Sequence, residues 1–428
     1  MAVKGRPGAA TDRRQPTVKR DIDGLMKERG IDVAVVTGAV KGNATMCYMV
    51  NGAAISHAVV IKRAGEDPVL LCGAMEREEA AASGLTTVDT SKYNIIKMIK
   101  DAGGDRLAAT VSYYKAVFEE FGVSGKVSFY GQGDVGRNWE FLRALDAALP
   151  DVTVSGEFSD DLFVTARATK GPLELERIRE AGRKTCDVVR HVMDFMVSHE
   201  VRGGALVKAD GSALTVGDCK SEIKMQLARR RLIEEVDTIF AIGRDAGIPH
   251  SRGNDRDPIE LGKTLVFDIF PQEEGGGYFF DMTRTFVLGS APREVLDTYQ
   301  ILEECFDSVA ATLRSGEKAS VYQTATCDFF EARGIETPRT NPQVRNGYVH
   351  SLGHGVGLEV HEKPTLSDVA GNNDVLAPGS VFTFEPGLYY PDKGYGMRIE
   401  DVYYVHEDGE MENLTDFPRD LVLEVRGA

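Results

Sequence analysis

Hydrophobic positions along this chain change their habit once. Up to about residue 155, short apolar runs alternate with short helical stripes. Residues 17–29 carry Val18, Ile22, Leu25 and Met26 at helical spacing and stop at Gly30. IDVAVVTG from 31 reads as a buried strand, and MCYMVNG from 46 as a second strand running into a turn. HAVVIKR and DPVLLCG, separated by AGED, predict a hairpin. Helical segments follow near 75–83 and 91–101, then strands at 107–113 (LAATVSY) and 126–131 (KVSFYG), a helix over 137–148 and a strand from 151. These elements predict an α/β domain with no phosphate loop, no GxGxxG and no catalytic pair.

The pattern shifts at Lys170-Gly171-Pro172. From Leu175 the positions Ile178, Ala181, Thr185, Val188, Val189, Val192, Phe195 and Met196 recur every three to four residues. That spacing predicts one long amphipathic helix, with Pro172 suited to its first turn. A second helix is expected over 215–231, begun by Thr215 and basic at its end. Strands are expected at 237–243, 264–270 and 277–289, helices at 292–315 and 319–333, and further strands at 380–390, 396–405 and near 420–425. The expected organisation is a disordered tail over 1–16, a smaller α/β domain over 17–168 and a second, α+β domain over 169–428.

Composition adds few constraints. A hydrophobic share of 42% and a charged share of 27% describe an ordinary globular chain. A net charge of −16 argues against a general nucleic-acid or anionic-membrane binder. The six cysteines form no CxxC pair and read as buried free thiols of a reducing compartment. No apolar run approaches a membrane span, and the basic N-terminus lacks the hydrophobic core of a secretory signal. Together these features lead to a cytoplasmic expectation.

Chemistry is concentrated in the second half. HSLGHGVGLEVH, residues 350–361, holds three of the chain's eight histidines, His350, His354 and His361, among permissive glycines. LVFDIF and YFFDMTRTF each place one aspartate, Asp268 and Asp281, in an otherwise apolar run. The intervening QEEGGG has the composition of a turn, so an antiparallel pair would bring both carboxylates together. Either aspartate could instead form a structural ion pair with Arg284 or Arg398. The same anomaly recurs at Glu385 in VFTFEPGLYY and Glu400 in MRIEDVYYV. Burying one carboxylate in apolar surroundings is costly, and clustering four without cations is worse. Two divalent cations neutralise such a set and activate a water at neutral pH. An oxygen-rich shell with one imidazole suits Mn²⁺, with Co²⁺, Zn²⁺ or Fe²⁺ as alternatives.

Asp268, Asp281, His354, Glu385 and Glu400, in that order, resemble the metal-binding set of the M24 metallopeptidases. That family includes Xaa-Pro dipeptidase (prolidase), aminopeptidase P and methionine aminopeptidase, which share the pita-bread fold. FFDMTRT, HSLGHGVGLEVHE, FTFEPGLYY, GMRIEDVYYV and IPHSRG around His250 carry the resemblance, which covers 172–428 and extends more loosely over the first domain. A preceding α/β domain is more similar to the prolidase and aminopeptidase P branch. The resemblance implies a pita-bread catalytic domain, a short proline-containing peptide as substrate and a homodimer. It further implies that Asp281 and Glu400 bridge the metals, that Asp268 completes one shell, and that His354 and Glu385 complete the other. Glu385 would accept the nucleophile's proton. His250 and His361 would line the pocket as catalytic groups, and His350 and Arg398 would stand on the substrate side or support the ligands. Tyr389, Tyr390 and Tyr395 are expected to be packing residues.

Two features depart from the family. The spacing from Asp268 to Asp281 is about two residues longer than usual, and Ile269-Phe270-Pro271 replaces smaller residues. Alternative readings are a creatinase-like hydrolase or lyase acting on a non-peptide substrate, and a non-catalytic pita-bread binding module.

Overall fold

The structure is a computed structural model that describes residues 21–425. The expected tail over 1–16, and the first four residues of the helix expected over 17–29, lie outside the described residues. The chain forms two compact units that divide between Ala166 and Arg167.

The first unit is built on a six-stranded mixed sheet. Its strands run in the order Thr86–Asp89, Val69–Cys72, Ala58–Arg63, Val33–Gly38, Gly125–Gly131, Val152–Ser155. Ala58–Arg63 and Val69–Cys72 are the antiparallel hairpin read from the sequence. Val33–Gly38 pairs parallel with Gly125–Gly131. One core packs Val35, Ile61 and Val127 of the sheet against Tyr114, Val117, Phe118 and Leu145.

Two expected strands in this unit are helices. Residues 46–49 belong to the helix Ala44–Met49, whose first turn is capped by the Asn43 side chain accepting the Met46 N–H at 3.0 Å. Four successive residues, Met46 to Met49, are buried, so the helix has no polar face and no visible period. Residues 107–113 open the helix Arg106–Glu120, capped by Asp105, which accepts the Ala108 N–H at 3.0 Å. Its buried positions Ala109, Tyr114, Val117 and Phe118 lie mostly in its second half, beyond the run that resembled a strand.

The second unit begins with the long helix Pro172–Val197, whose buried stripe includes Leu175, Ile178, Ala181, Thr185, Val188, Val189, Val192 and Met196. Glu174 accepts the Gly171 N–H at 2.7 Å and fixes the helix start. The helix Val216–Arg229 is closed by reciprocal bonds between Thr215 and Asp218. A four-stranded sheet runs Ile239–Ile242, Thr264–Ile269, Met282–Leu288, Val422–Leu423. A five-stranded sheet runs Glu362–Leu366, Gly353–Gly355, Val381–Phe384, Asp401–Val405, Met411–Asn413. The helices Arg293–Ala310 and Ser320–Glu331 share a core with the latter sheet through Leu302, Phe306, Phe330, Leu352, Phe382 and Phe384.

The expected single strands over 380–390 and 396–405 are each broken in two. Val381–Phe384 stops at Glu385-Pro386, and Gly387–Tyr390 pairs instead with Tyr395–Arg398. Pro386 has no N–H to give a ladder. Tyr395–Arg398 stops at Ile399-Glu400, and Asp401–Val405 joins the five-stranded sheet. At the second break the Glu400 N–H donates to Thr283 O at 3.1 Å, linking the break to the strand Met282–Leu288. Asp281 likewise stands just before the strand Met282–Leu288, not within it. Three of the four anomalous carboxylates therefore occupy strand ends, where the chain leaves the ladder.

Candidate metal centre

The antiparallel pairing of Thr264–Ile269 with Met282–Leu288 sets Asp268 opposite Thr283, two residues beyond Asp281. Glu400 reaches the same place through its bridge to Thr283, and Glu385 through the break after Phe384. His354 comes from the central residue of Gly353–Gly355. The structure thus brings Asp268, Asp281, His354, Glu385 and Glu400 together from five separate segments. Asp281, His354 and Glu400 offer ligand atoms that all lie within 4.8 Å of one another.

Electrostatics show how unfavourable this set is without a cation. Burial and the neighbouring carboxylates Glu400, Asp268 and Glu385 push Asp281 well above the usual aspartate range. Burial and Glu400 do the same to Glu385. Burial and Asp268 push Glu400 up to about 8. Asp268 Oδ1 and Asp281 Oδ1 are buried and find no hydrogen-bond partner among the described residues. Such orphaned acceptors carry a desolvation cost that a cation would remove.

His354 is prepared to offer a lone pair. Its Nδ1 lies 3.1 Å from Gly355 O, so that nitrogen carries the proton. Its Nε2 faces Glu385 at 3.5 Å and Asp281 at 3.8 Å, separations longer than a hydrogen bond. Burial and His361 push the imidazole down to about 3, so it is neutral at ordinary pH. Orienting one ring nitrogen through a carbonyl while the other stays open is how proteins prepare a metal-ligating histidine. The donor set and its orphaned atoms fit divalent cations with mainly oxygen ligands.

The pocket-side groups surround this cluster unevenly. The His361 ring lies against His354, with centroids 4.2 Å apart at 66°. His361 is exposed, yet partial loss of hydration and the nearby His250 hold it below the usual histidine range. His250 is exposed in a loop and lies within electrostatic reach of both His350 and His361. His350 reaches the cluster through Tyr389: its Nε2 lies 2.9 Å from Tyr389 Oη, which Arg398 also contacts.

Arg398 is buried and joins several of these parts. It pairs with Asp268, donates to Thr283 Oγ1 at 3.0 Å and donates to Tyr389 Oη at 2.6 Å. Thr283 in turn donates to Glu400 Oε2 at 2.7 Å. The ion pair weighed from sequence as an alternative to a metal role exists, but it occupies one oxygen of Asp268 and leaves the other free. Arg284 is also fully buried; it pairs with Asp401 at 2.8 Å and donates to Glu400 O at 2.9 Å, pinning the chain beside Glu400. Tyr389 was expected to be a packing residue, and the structure corrects this: its ring is in the core, but its hydroxyl joins His350 to Arg398. Tyr390 and Tyr395 do pack, with centroids 5.2 Å apart. Thr283 was also missed, although its place two residues after Asp281 in one strand was a usable signal.

Residues 176–407 match the model of metallopeptidase family M24. The chain belongs to that family. It is 32% identical over 263 residues to a probable dipeptidase PepE of Mycobacterium tuberculosis, covering 61% of this chain and 62% of that protein. It thus spans less than two thirds of that relative's length. An Xaa-Pro dipeptidase of Lactobacillus delbrueckii subsp. lactis is 27% identical over 393 residues, 90% of this chain and 93% of the relative. Among solved structures, an X-Pro aminopeptidase from Thermotoga maritima MSB8 superposes with a TM-score of 0.72 at 22% identity, over 94% of this chain and all of that one. An Xaa-Pro dipeptidase from Bacillus anthracis gives 0.72 at 23% identity, over 94% and 98%. These likenesses show the α+β, pita-bread fold of the M24 proteins.

All six cysteines are buried. Among the described residues, no helix is long and apolar enough to cross a membrane.

Proposed function

We propose that this chain is a two-metal peptidase that hydrolyses the Xaa-Pro bond at the N-terminus of dipeptides or short peptides. The observation that carries this reading is the buried set Asp268, Asp281, His354, Glu385 and Glu400, with two orphaned carboxylate oxygens and an open imidazole nitrogen. The substrate class is taken from relatives named Xaa-Pro dipeptidase and X-Pro aminopeptidase.

In this reading Arg167–Ala428 is the catalytic domain, and the preceding α/β domain performs no chemistry. Asp268, Asp281, His354, Glu385 and Glu400 would together hold the metal pair. Bound there, two divalent cations, Mn²⁺ in this proposal, would supply Lewis acidity and make water a nucleophile near neutral pH. Glu385 would accept the proton of the attacking water. His361 and His250 face the scissile carbonyl and hold charge developing on its oxygen. His350 contacts the substrate from the side held by Tyr389. Arg398 fixes the orientation of Asp268 through their ion pair. A homodimer in a cytoplasmic setting completes the proposal.

Hydrolysis of Xaa-Pro and Xaa-Pro-Yaa-Zaa by protein loaded with Mn²⁺, with His354→Ala as control, tests the reading. Stoichiometric metal and cleavage of at least one proline peptide are expected, both lost in His354→Ala. Protein supplied with manganese but retaining none would sink the proposal. Equal cleavage of Xaa-Ala peptides would remove the proline preference.

A further inference from the structure

His361 and Glu362 are neighbours that face opposite ways at the start of the strand Glu362–Leu366. His361 is exposed, whereas the Glu362 side chain is only 3% exposed. The Glu362 carboxylate lies at the centre of a charged cluster outside the metal centre. Oε1 accepts from Arg167 Nη1 at 2.7 Å, from the Leu358 N–H at 3.0 Å and from the Glu359 N–H at 3.2 Å. Oε2 accepts from Lys170 Nζ at 2.9 Å. Arg167 also pairs with Glu359. Arg167 and Lys170 are themselves buried. Burial alone would push Glu362 up, but Lys170 and Arg167 hold it below the usual glutamate range.

The turn 357–362 is wound around this carboxylate. A Cβ on Gly357 would fall inside contact distance of Glu362 Oε2 and 2.9 Å from Lys170 Cε, so a side chain there would displace this ion pair. Gly357 O accepts the Phe279 N–H at 2.7 Å, which ties the turn to the segment leading into Asp281. A buried ion cluster of this kind is weak evidence for stability, because well-packed apolar residues do as well. What it does supply is geometry: two cations and two amides converge on one carboxylate and fix the residue beside it.

On the peptidase reading above, we propose that Glu362, anchored by Arg167 and Lys170, is the positioning residue for His361, holding its imidazole against His354 and over the reacting carbonyl. Glu362 does not touch substrate; it acts through His361. Displacing a catalytic group by about 1 Å lowers rates by about 100-fold, and a partial displacement by less.

A double-mutant cycle in the manganese-loaded full chain tests this. Glu362→Gln is expected to lower kcat by about 10- to 100-fold, with KM and manganese stoichiometry little changed. In a His361→Ala background, the same substitution is expected to change kcat by less than about threefold, the signature of residues acting as a unit. An equal loss in both backgrounds, or no loss in the wild-type background, overturns the proposal. Lys170→Met keeps the Arg167 pair and serves if Glu362→Gln does not fold; its smaller loss must also vanish in His361→Ala. A second readout needs no turnover: the His361 imidazole NMR signal in zinc-loaded protein, assigned with His361→Ala, is expected to move in Glu362→Gln. A signal that stays in place overturns the positioning role. Wild-type protein without peptidase activity would defeat the peptidase reading, and the NMR arm would still decide whether Glu362 places His361.

Discussion

Arg398 donates a hydrogen bond of 2.6 Å to the hydroxyl of Tyr389. That bond sets the direction of a buried chain. His350 Nδ1 lies 2.7 Å from Ser351 O, so the proton of the neutral ring is on Nδ1. Burial and Arg398 push this imidazole down to about 3. Its Nε2 is therefore an acceptor, and Tyr389 must donate to it across 2.9 Å. The chain runs from Asp268 through Arg398 and Tyr389 to His350, joining a carboxylate of the proposed metal centre to a substrate-side histidine.

Tyr389→Phe tests that chain. The substitution keeps the ring in the core and removes only the link. Arg398 Nη1 and His350 Nε2 each lose a partner in a buried setting, which costs about 1–3 kcal/mol. The expected result is a lower thermal midpoint by calorimetry, a kcat/KM lowered by about 10-fold or more as His350 drifts, and unchanged manganese content. Unchanged catalysis would show that the chain is structural only.

Protein stripped of metal by chelation should lose stability as pH rises. Burial and Asp268 raise Glu400 from 4.5 to about 8 in the folded protein. A carboxyl group with a raised folded value stabilises most when protonated, below its unfolded value of 4.5. That contribution is lost as pH climbs toward 8, and Asp281 and Glu385 act in the same direction. The thermal midpoint of the stripped protein should fall between these two values, and Glu400→Gln should flatten the fall. Divalent metal should reverse it. A midpoint that rises over this window would contradict the assignment of charge in the cluster.

Asp281→Asn separates the cost of the cluster from its use. The substitution removes one of several mutually repelling charges, and Asp281 Oδ1 has no hydrogen bond to lose. Metal-free Asp281→Asn is therefore expected to be at least as stable as the metal-free parent. The parent should gain about 2.7 kcal/mol when metal is present at 100 times its dissociation constant. Asp281→Asn should gain almost none. Melting curves with and without Mn²⁺ check both halves.

The five proposed ligands were legible because each breaks a local rule: a carboxylate, or a histidine among glycines, inside apolar strand sequence. The helix Pro172–Val197 was legible because its buried stripe keeps one period over seven turns. The helix Ala44–Met49 was not, because it is buried on every side and a continuous apolar run fits a strand equally well. Tyr389 escaped notice for a related reason. A tyrosine in an apolar run looks like core, and its polar partners His350 and Arg398 come from elsewhere in the chain. The breaks at Glu385 and Glu400 were hidden because β-type sequence continues through them; where the chain changes sheets is a tertiary property. Glu362 stood beside a histidine already singled out, yet its partners Arg167 and Lys170 lie 195 and 192 residues away.

Gly182→Ala sets helix propensity against packing at the metal centre. Gly182 lies buried inside the helix Pro172–Val197, where alanine is intrinsically preferred by about 1 kcal/mol. On an exposed face that substitution would stabilise the protein. Here a new Cβ would meet the Phe280 ring at 2.6 Å from Cδ2 and 2.8 Å from Cζ, closer than carbon atoms approach. Phe280 is fully buried and cannot swing into solvent. Overpacking of this kind costs about 1–3 kcal/mol, enough to outweigh the propensity gain. Phe280 also precedes Asp281, so a shifted ring would move the carboxylate that lies among Glu400, Asp268 and Glu385. Gly182→Ala is therefore expected to lower the thermal midpoint and also to weaken metal binding, which a distant destabilising change would not do. Titration of Mn²⁺ into the folded variant, followed by calorimetry, decides between the two: weaker binding supports the steric path from helix to ligand, and unchanged binding shows that the ring relaxes without moving Asp281.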